Sequence, residues 1–366
     1  MKKNSFIRRL LKYAAALGIL SASMITPAFA QTDVHILDVG QGLSVLVESQ
    51  GKYMLYDGGD RDKSSFVVAY LKQQEIKELD YMIASHYDSD HLNGLVGAMN
   101  TTEVKHIFAP DYTTDTRVFK SFRSTAATDN IPIDQPAVGS SYPLGDASVQ
   151  ILSPSDTGYS DVNDYSIGIR ITDGENSFLI TGDAEAQSEA EMCSSGLLLD
   201  SDVYVMGHHG SGTSTSWELL QKSTPEYAVL SCGAGNSYGH PHIESMEKLQ
   251  TMEIELLRTD KQGTIIASTD GKNITWNVTP CNDYSPGDKN DQPPQVQTQN
   301  ISDAAATAEP LSSGTSGYIL NISSKKIHFP DCKSVSQMKE KNKRATSESK
   351  AAMLKQGYTP CGNCKP

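Results

Sequence analysis

The chain has 366 residues, 38% of them hydrophobic, which allows one large domain with a real core and a smaller one beside it and excludes wholesale disorder. The net charge of −13 is unevenly spread: residues 1–30 hold five Lys/Arg and no acid, residues 31–317 sixteen basic against forty-one acidic side chains (net −25), and residues 318–366 ten against three (net +7). An acidic body is a poor non-specific nucleic-acid binder by net charge alone, whereas the basic tail offers attraction to phosphate.

Residues 1–30 read as a secretory signal peptide. Lys2, Lys3, Arg8, Arg9 and Lys12 form a basic start, residues 13–25 a short apolar stretch, and Ala28-Phe29-Ala30 a small-x-small cleavage site. The apolar stretch falls short of the ~20 residues of a membrane span. No Cys follows the cleavage site to accept a lipid. The expectation is a secreted, extracellular protein without stable membrane insertion.

Beyond that site, residues 33–37, 43–48 and 52–56 are rich in Val, Leu and Tyr and separated by Gly-bearing turns, which predicts a strand meander. Residues 64–74 predict a helix capped by Ser64 or Ser65. The apolar run 81–84 predicts a short buried strand, and 92–99 a helix. Further strands are expected at 105–109, 147–152, 165–172, 177–181, 203–206, 227–230, 255–258, 263–268 and 273–277, with helices at 114–126, 184–193, 215–222 and 243–252. This mixture suits two sheets flanked by helices, an α/β fold, over residues 31–281. Residues 282–317 turn to Pro, Gln, Asn, Ser, Thr and Ala without periodicity and read as a flexible linker. Residues 318–366 form a second, small domain.

Directly after the strand at 81–84 come four potential metal ligands within six residues: His86, Asp88, Asp90 and His91. Side chains at a strand end and in the tight loop beyond it converge on one point. Imidazole with carboxylate suits Zn²⁺ and, with more oxygen, Mn²⁺. Later strand ends add Thr181-Gly182-Asp183, then Gly207-His208-His209-Gly210-Ser211, then Tyr238-Gly239-His240-Pro241. Asp57, closing the strand at 52–56, either orients a ligand or stabilises a turn. His35 and His242 fit no motif and read as structural.

The H-x-D-x-D-H spacing resembles the signature of the metallo-β-lactamase fold. With Asp88 in place of the usual middle His, it is similar to the hydrolase domain of ComEC-type DNA-internalisation proteins and their secreted relatives. The order Asp38-Val39-Gly40-Gln41-Gly42, then Asp57-Gly58-Gly59 ahead of the metal loop, agrees with it. The resemblance implies an αββα sandwich over residues 32–280 and a metal-bridging role for Asp183. It also implies that one His of the adjacent pair binds metal or moves protons, with His208 favoured, and that His240 is a last ligand or a phosphate contact. Asp90, His208 and His240 are thus the expected catalytic residues. Many members carry a further metal-binding His before the turn at 181–183. Here Asn163-Asp164-Tyr165-Ser166 occupies that region, with Asp164, Asn163 or water in its place. The centre is then richer in oxygen, which leaves two Zn or two Mn open. Two such ions about 3.5–4 Å apart would generate hydroxide near neutral pH and stabilise charge on a phosphoryl or acyl oxygen.

The tail carries His328 and Cys332, then Cys361 and Cys364. One imidazole and three thiolates make a closed tetrahedral Zn set, and so small a domain needs such a staple. In a secreted chain a Cys332–Cys361 or Cys361–Cys364 disulfide is the alternative. The segment resembles the small zinc module of the Ada DNA-repair protein, an α+β unit with one structural Zn. Its basic residues suit a nucleic-acid backbone, an acidic cell-wall polymer, or solubility alone. Cys193, Cys232 and Cys281 allow one disulfide of unassigned pairing.

These readings converge on a secreted dinuclear-metal hydrolase, a phosphodiesterase or nuclease acting on DNA or another nucleic acid. Two alternatives stand beside it. One is a hydrolase of a small phosphodiester, a lactone or a β-lactam. The other is a non-catalytic surface-binding protein with a structural metal.

Overall fold

The computed structural model describes residues 31–287, 318–330, 332–336, 338–346, 350–355 and 357–361. The expected signal peptide, most of the expected linker, and Cys364 lie outside the described residues. Those described fall into two compact units, residues 31–287 and residues 318–361. Among them, no helix is long and apolar enough to cross a membrane.

In chain order the first unit runs β1 (Thr32–Ile36), β2 (Val45–Ser49), β3 (Lys52–Tyr56), α1 (Ser64–Gln73), β4 (Glu78–Ile83), α2 (Ser89–Met99), β5 (Glu103–Phe108), α3 (Arg117–Thr128) and β6 (Ile133–Asp134). It continues with β7 (Ser141–Leu144), β8 (Ala147–Ile151), β9 (Ile169–Asp173), β10 (Asn176–Ile180), α4 (Ala186–Ser194), β11 (Val203–Val205), α5 (Trp217–Ser223) and β12 (Tyr227–Leu230). α6 (Ile243–Thr251), β13 (Glu255–Arg258), α7 (Thr259–Gln262), β14 (Ile265–Thr269) and β15 (Ile274–Trp276) complete it. One sheet has the order β15-β14-β1-β2-β3-β4-β5-β6, the other β13-β12-β11-β10-β9-β8-β7.

The period-2 alternation of strand side chains sorts the core into three layers. Val34 and Ile36 of β1, Val45 and Val47 of β2, and Met54 and Tyr56 of β3 meet Phe178, Ile180, Val203 and Val205 between the sheets. Their alternates Leu46 and Leu55 pack outward with Val67, Leu71, Leu92, Leu95, Phe119 and Phe122 of α1, α2 and α3. On the far side Leu179 and Tyr204 pack with Met192, Leu219, Leu220, Met246 and Leu249 of α4, α5 and α6. The result is helices, sheet, sheet, helices: the αββα sandwich that the resemblance implies.

Besides the short β6 and α7, which were not expected, three elements differ from the sequence expectation. α2 begins at Ser89 rather than Leu92, with Asp88 as its extended N-cap, so Asp90 and His91 occupy the first helical turn. The strand expected over 165–172 starts only at Ile169, because Val162–Tyr165 winds into a 3-10 turn, where Asp161 accepts from the Asn163 N–H. The edge strand β7 carries Pro143, which hid it from the pattern; an edge is where a strand tolerates Pro.

The start of the expected linker is fastened to the body. The N–H groups of Cys281 and Asn282 donate to the Leu256 carbonyl, and buried Arg258 donates to the carbonyls of Asp283 and Ser285. The N–H of Gly287 donates to Pro241 O, and a Cβ at Gly287 would stand 2.1 Å from His240 O. Composition misread these residues because polar groups make the contacts, side chains as well as backbone: Asn282 Oδ1 accepts from the Leu256 N–H (2.8 Å) and the Tyr284 hydroxyl donates to Ile254 O (2.7 Å). Cys193, Cys232 and Cys281 are free thiols, so the disulfide allowed among them is not formed.

The second unit holds β16 (Tyr318–Asn321), β17 (Lys326–His328), α8 (Lys333–Ser336), β18 (Lys343–Thr346), α9 (Lys350–Lys355) and β19 (Thr359–Pro360), with sheet order β18-β16-β17-β19. Its apolar core is small: Leu320, Ile327, Met353 and Tyr358.

Candidate metal centre

β3, β4 and β5 are parallel, as are β10, β11, β12 and β13. Each parallel strand ends in a loop at its carboxyl end, the usual place for a site in an open α/β sheet. Five such loops supply the polar cluster: Asp57 after β3, Ser85–His91 after β4, Asp183 after β10, His208 and His209 after β11, and His240 after β12.

Asp183 is the hub. Its Oδ2 lies 3.2 Å from His91 Nε2, 3.4 Å from His209 Nε2 and 3.8 Å from His208 Nε2. Asp90 Oδ2 lies 3.4 Å from His209 Nε2 and 4.0 Å from His91 Nε2. The ligand atoms form two overlapping groups, His86–His91–Asp183 and Asp90–His91–His209. The turn carrying Asp183 requires Gly182: its φ is +58°, and a Cβ there would stand 2.8 Å from Ser85 Cβ and 2.9 Å from the Tyr56 hydroxyl.

Asp57 does what the sequence left open. It is fully buried, accepts from the N–H (2.8 Å) and hydroxyl (2.7 Å) of Ser85, and lies 2.8 Å from His91 Nδ1. Nδ1–H therefore donates to Asp57, and Nε2 of His91 faces the cluster. His209 is oriented alike: its Nδ1 lies 3.1 Å from Ser231 O, which leaves Nε2 for the centre. Such partners fix both ring orientation and tautomer of a ligand.

The adjacent pair divides in an unexpected way. His208 and His209 both have left-handed backbones, φ +47° and +54°, an unusual conformation for consecutive non-glycine residues. This turns the His209 side chain inward, 3% exposed, while His208 stays at the rim, 22% exposed. Sequence reasoning favoured His208 as the ligand; the residue brought into the cluster is His209. His208 Nδ1 instead lies 3.2 Å from Glu185 Oε1, to which the Thr213 hydroxyl also donates at 2.8 Å. Nothing local in the sequence marks Glu185, since this contact joins two loops far apart in the chain.

Other expected residues fall around this core. Asp88 stands at the mouth, its side chain 52% exposed and its Oδ2 3.9 Å from His86 Nε2. His240 is buried, with Nδ1 3.2 Å from Gln41 Nε2 and its ring 5.5 Å from that of His208. It lines the site without joining either ligand group. Asp164 does not replace a missing ligand: its Oδ1 accepts from the N–H groups of Glu185 and Ser188 and so caps α4. For the same reason Asp183 is not the cap of that helix, which starts at Ala186. His35 pairs with the Tyr70 hydroxyl at 2.7 Å, away from the cluster.

The electrostatics favour positive charge at the centre. Burial alone would lower the His91 pKa, but Asp183, Asp57 and Asp90 raise it well above the usual value. Burial is likewise outweighed at His209, which Asp183 and Asp90 push up to about 9. Asp183 is held well below the usual carboxylate range, against its burial, by His91 and His209. His86 goes the other way, down to about 4, through burial and the nearby His91. Among the described residues, its Nε2 and Asp183 Oδ1 are buried atoms with no hydrogen-bond partner. Orphaned buried polar atoms are rare, and these two belong to an imidazole and a carboxylate within one cluster. The residues present fit metal ions: neutral imidazole and carboxylate are the donors that Zn²⁺ and Mn²⁺ take.

A second group lies in the C-terminal unit, where His328, Cys332 and Cys361 bring ligand atoms together, all buried. Among the described residues both ring nitrogens of His328 lack a hydrogen-bond partner, and Cys332 is a free thiol.

Residues 37–234 match the model of the metallo-beta-lactamase superfamily. The chain is 28% identical over 274 residues to the ComE operon protein 3 of Bacillus subtilis, covering 70% of this chain and 35% of that protein. It is 31% identical to the competence protein ComA of Neisseria gonorrhoeae over 63% of this chain and 31% of that one. Recombination protein 2 of Haemophilus influenzae is 32% identical over 63% of this chain and 28% of its own length. The chain thus spans about a third of the length of these relatives. Among solved structures, the metallo-beta-lactamase fold protein YhfI of Bacillus subtilis aligns with a TM-score of 0.47 at 15% identity, covering 66% of this chain and all of that one.

Proposed function

This chain belongs to the metallo-beta-lactamase superfamily, whose members are generally metal-dependent hydrolases, and from that premise we propose that it is a secreted phosphodiesterase that cleaves nucleic acid. The observation that carries the reading is the donor set. Asp183 and Asp90 stand among His86, His91 and His209, so carboxylates are two of the five clustered donors, and a third, Asp88, stands at the mouth. Kinship with proteins named for competence and recombination supports a nucleic-acid substrate.

His86, Asp90, His91, Asp183 and His209 would hold the metal, with Asp183 near the centre of the donor set. Bound metal supplies Lewis-acid polarisation of a phosphoryl oxygen and activation of water. The chain's own residues do the rest. Asp57 and Ser231 aim two imidazoles; Glu185 and Thr213 hold His208 at the rim, within reach of a substrate oxygen. Buried His240, pushed down to about 3 by its burial and by His209, His242 and His208, stays a neutral wall residue with Gln41 at its back. In the C-terminal unit, His328, Cys332 and Cys361 would hold a structural Zn together with Cys364, and its basic residues would tether the substrate strand.

The test is cleavage of single- and double-stranded DNA and of RNA by purified full-length protein with Zn²⁺ or Mn²⁺. Wild type should cut, and Asp183→Ala should abolish cutting. Metal-loaded protein that leaves every nucleic acid intact would sink the proposal. A second reading has one observation behind it: the body's charge of −25 favours a small or neutral substrate. Turnover of bis-p-nitrophenyl phosphate without nucleic-acid cleavage would support that reading, and nitrocefin turnover would point to amide chemistry.

A further inference from the structure

Beside the candidate centre lies an aromatic side chain that the site as described does not use. Tyr238 is 58% exposed, the most exposed aromatic among the described residues. Its ring is stacked on His240 with 5.6 Å between centroids and 23° between planes. His240 in turn lies 6.3 Å from the ring of His209. Tyr238 therefore stands one ring beyond the wall of the metal-ligand cluster, with one face on an imidazole and over half its surface open.

The backbone that carries it is held in place. Asn236 Oδ1 accepts from the N–H groups of Tyr238 (3.2 Å) and His240 (3.0 Å), and its Nδ2 donates to the carbonyls of Gly233 (2.8 Å) and His240 (2.6 Å). The Gly287 backbone packs against the same loop from behind. An apolar ring presented to solvent on a fixed loop loses little freedom when a ligand covers it.

The rim nearby is acidic, with Asp88 half exposed and Glu185 beside His208. Phosphate attraction at the rim is therefore weak, and a strand needs another hold close to the centre. Stacking supplies one without charge, and it tolerates any base because every base has a π-face. A paired base cannot stack on a protein ring without first leaving the duplex, and that costs free energy.

Resting on the nuclease reading above, we propose that Tyr238 is a base-stacking residue, and that it gives this site a preference for single-stranded nucleic acid. The base next to the cleaved linkage lies on the open face of the ring, and the backbone runs from there past His240 to the cluster.

The experiment is steady-state cleavage by the metal-loaded full chain of a single-stranded oligonucleotide, and of the same strand with abasic residues flanking the cleaved linkage. Tyr238→Ala should raise KM on the intact strand about tenfold, with kcat and metal content near those of wild type. On the abasic strand Tyr238→Ala and wild type should match. Tyr238→Phe, which keeps the ring, should restore most of the lost KM. Equal losses on both strands would mean that Tyr238 only supports His240, and would overturn the proposal. So would a wild type that cuts duplex as well as single strand, or a Tyr238→Ala variant with unchanged KM. A wild type that cuts no nucleic acid overturns the nuclease reading itself, and base stacking with it.

Discussion

At the residue scale, the division of labour between His208 and His209 has a direct consequence. His209 Nε2 sits among carboxylates and His208 Nε2 beside them, so His209→Ala should lower metal content per chain, whereas His208→Ala should retain metal and lose turnover. Elemental analysis of the two purified variants separates the roles; metal loss from His208→Ala alone would reverse them. Asp57 acts behind the ligands. Asp57→Asn keeps the shape but weakens the hold on His91 Nδ1 and on Ser85, and metal affinity should fall about 10- to 100-fold in a chelator competition. The ligand-dense loop was legible in the sequence because His86, Asp88, Asp90 and His91 fall within six residues. The choice within the pair at 208–209 was not, because two left-handed backbone residues decide it and either His fits the same local pattern. Ser85, Ser231 and Glu185 were illegible for another reason: they acquire a role only when distant strand ends meet.

Between residue and fold, single groups tie elements together. Asp80 on β4 accepts from Lys52 Nζ (3.1 Å) and Tyr53 N (3.2 Å) on β3 and from Lys105 Nζ (3.0 Å) on β5. Burial would raise its pKa, but these donors outweigh burial and lower it below 3.8. A depressed folded-state pKa stabilises above the unfolded-state value and is lost as pH falls through the folded one. Asp80→Asn should therefore cost stability at pH 7 and progressively less below pH 3.8, as read by urea denaturation at each pH. Both lysines are part exposed, so the effect should stay within about 1 kcal/mol. Gly287 makes a stronger demand. A Cβ 2.1 Å from His240 O forces the loop at 233–241 or the strap at 281–287 to move, and Gly287→Ala should lower stability by about 1–3 kcal/mol in thermal or urea unfolding. An unchanged midpoint would show that the strap is not bound. Most strands and helices of the sandwich were legible from periodicity. The strap was read as linker because its composition is polar, and the partners of its backbone, Asn282 and Tyr284 come beside it only in the folded chain.

For the molecule as a whole, the charge split and the small tail core belong to one argument. The body carries −25 and residues 318–366 carry +7, so attraction to a polyanion has to enter through the tail. Among the described residues of that unit the buried apolar cluster is small, Leu320, Ile327, Met353 and Tyr358, and a domain of this size needs a staple. A metal on His328, Cys332 and Cys361 would supply the missing stability, since structural Zn²⁺ binding and folding are coupled. The prediction is that Cys332→Ser with Cys361→Ser, made in the full chain, removes one metal equivalent. Turnover of bis-p-nitrophenyl phosphate by the body should persist. Nucleic-acid binding should weaken, and its dependence on salt should flatten, because fewer phosphate contacts release fewer counterions. Binding measured from low to physiological salt reads this slope. An unchanged slope in the variant would place the nucleic-acid contact on the acidic body, where the uncharged ring of Tyr238 rather than the tail would have to carry it.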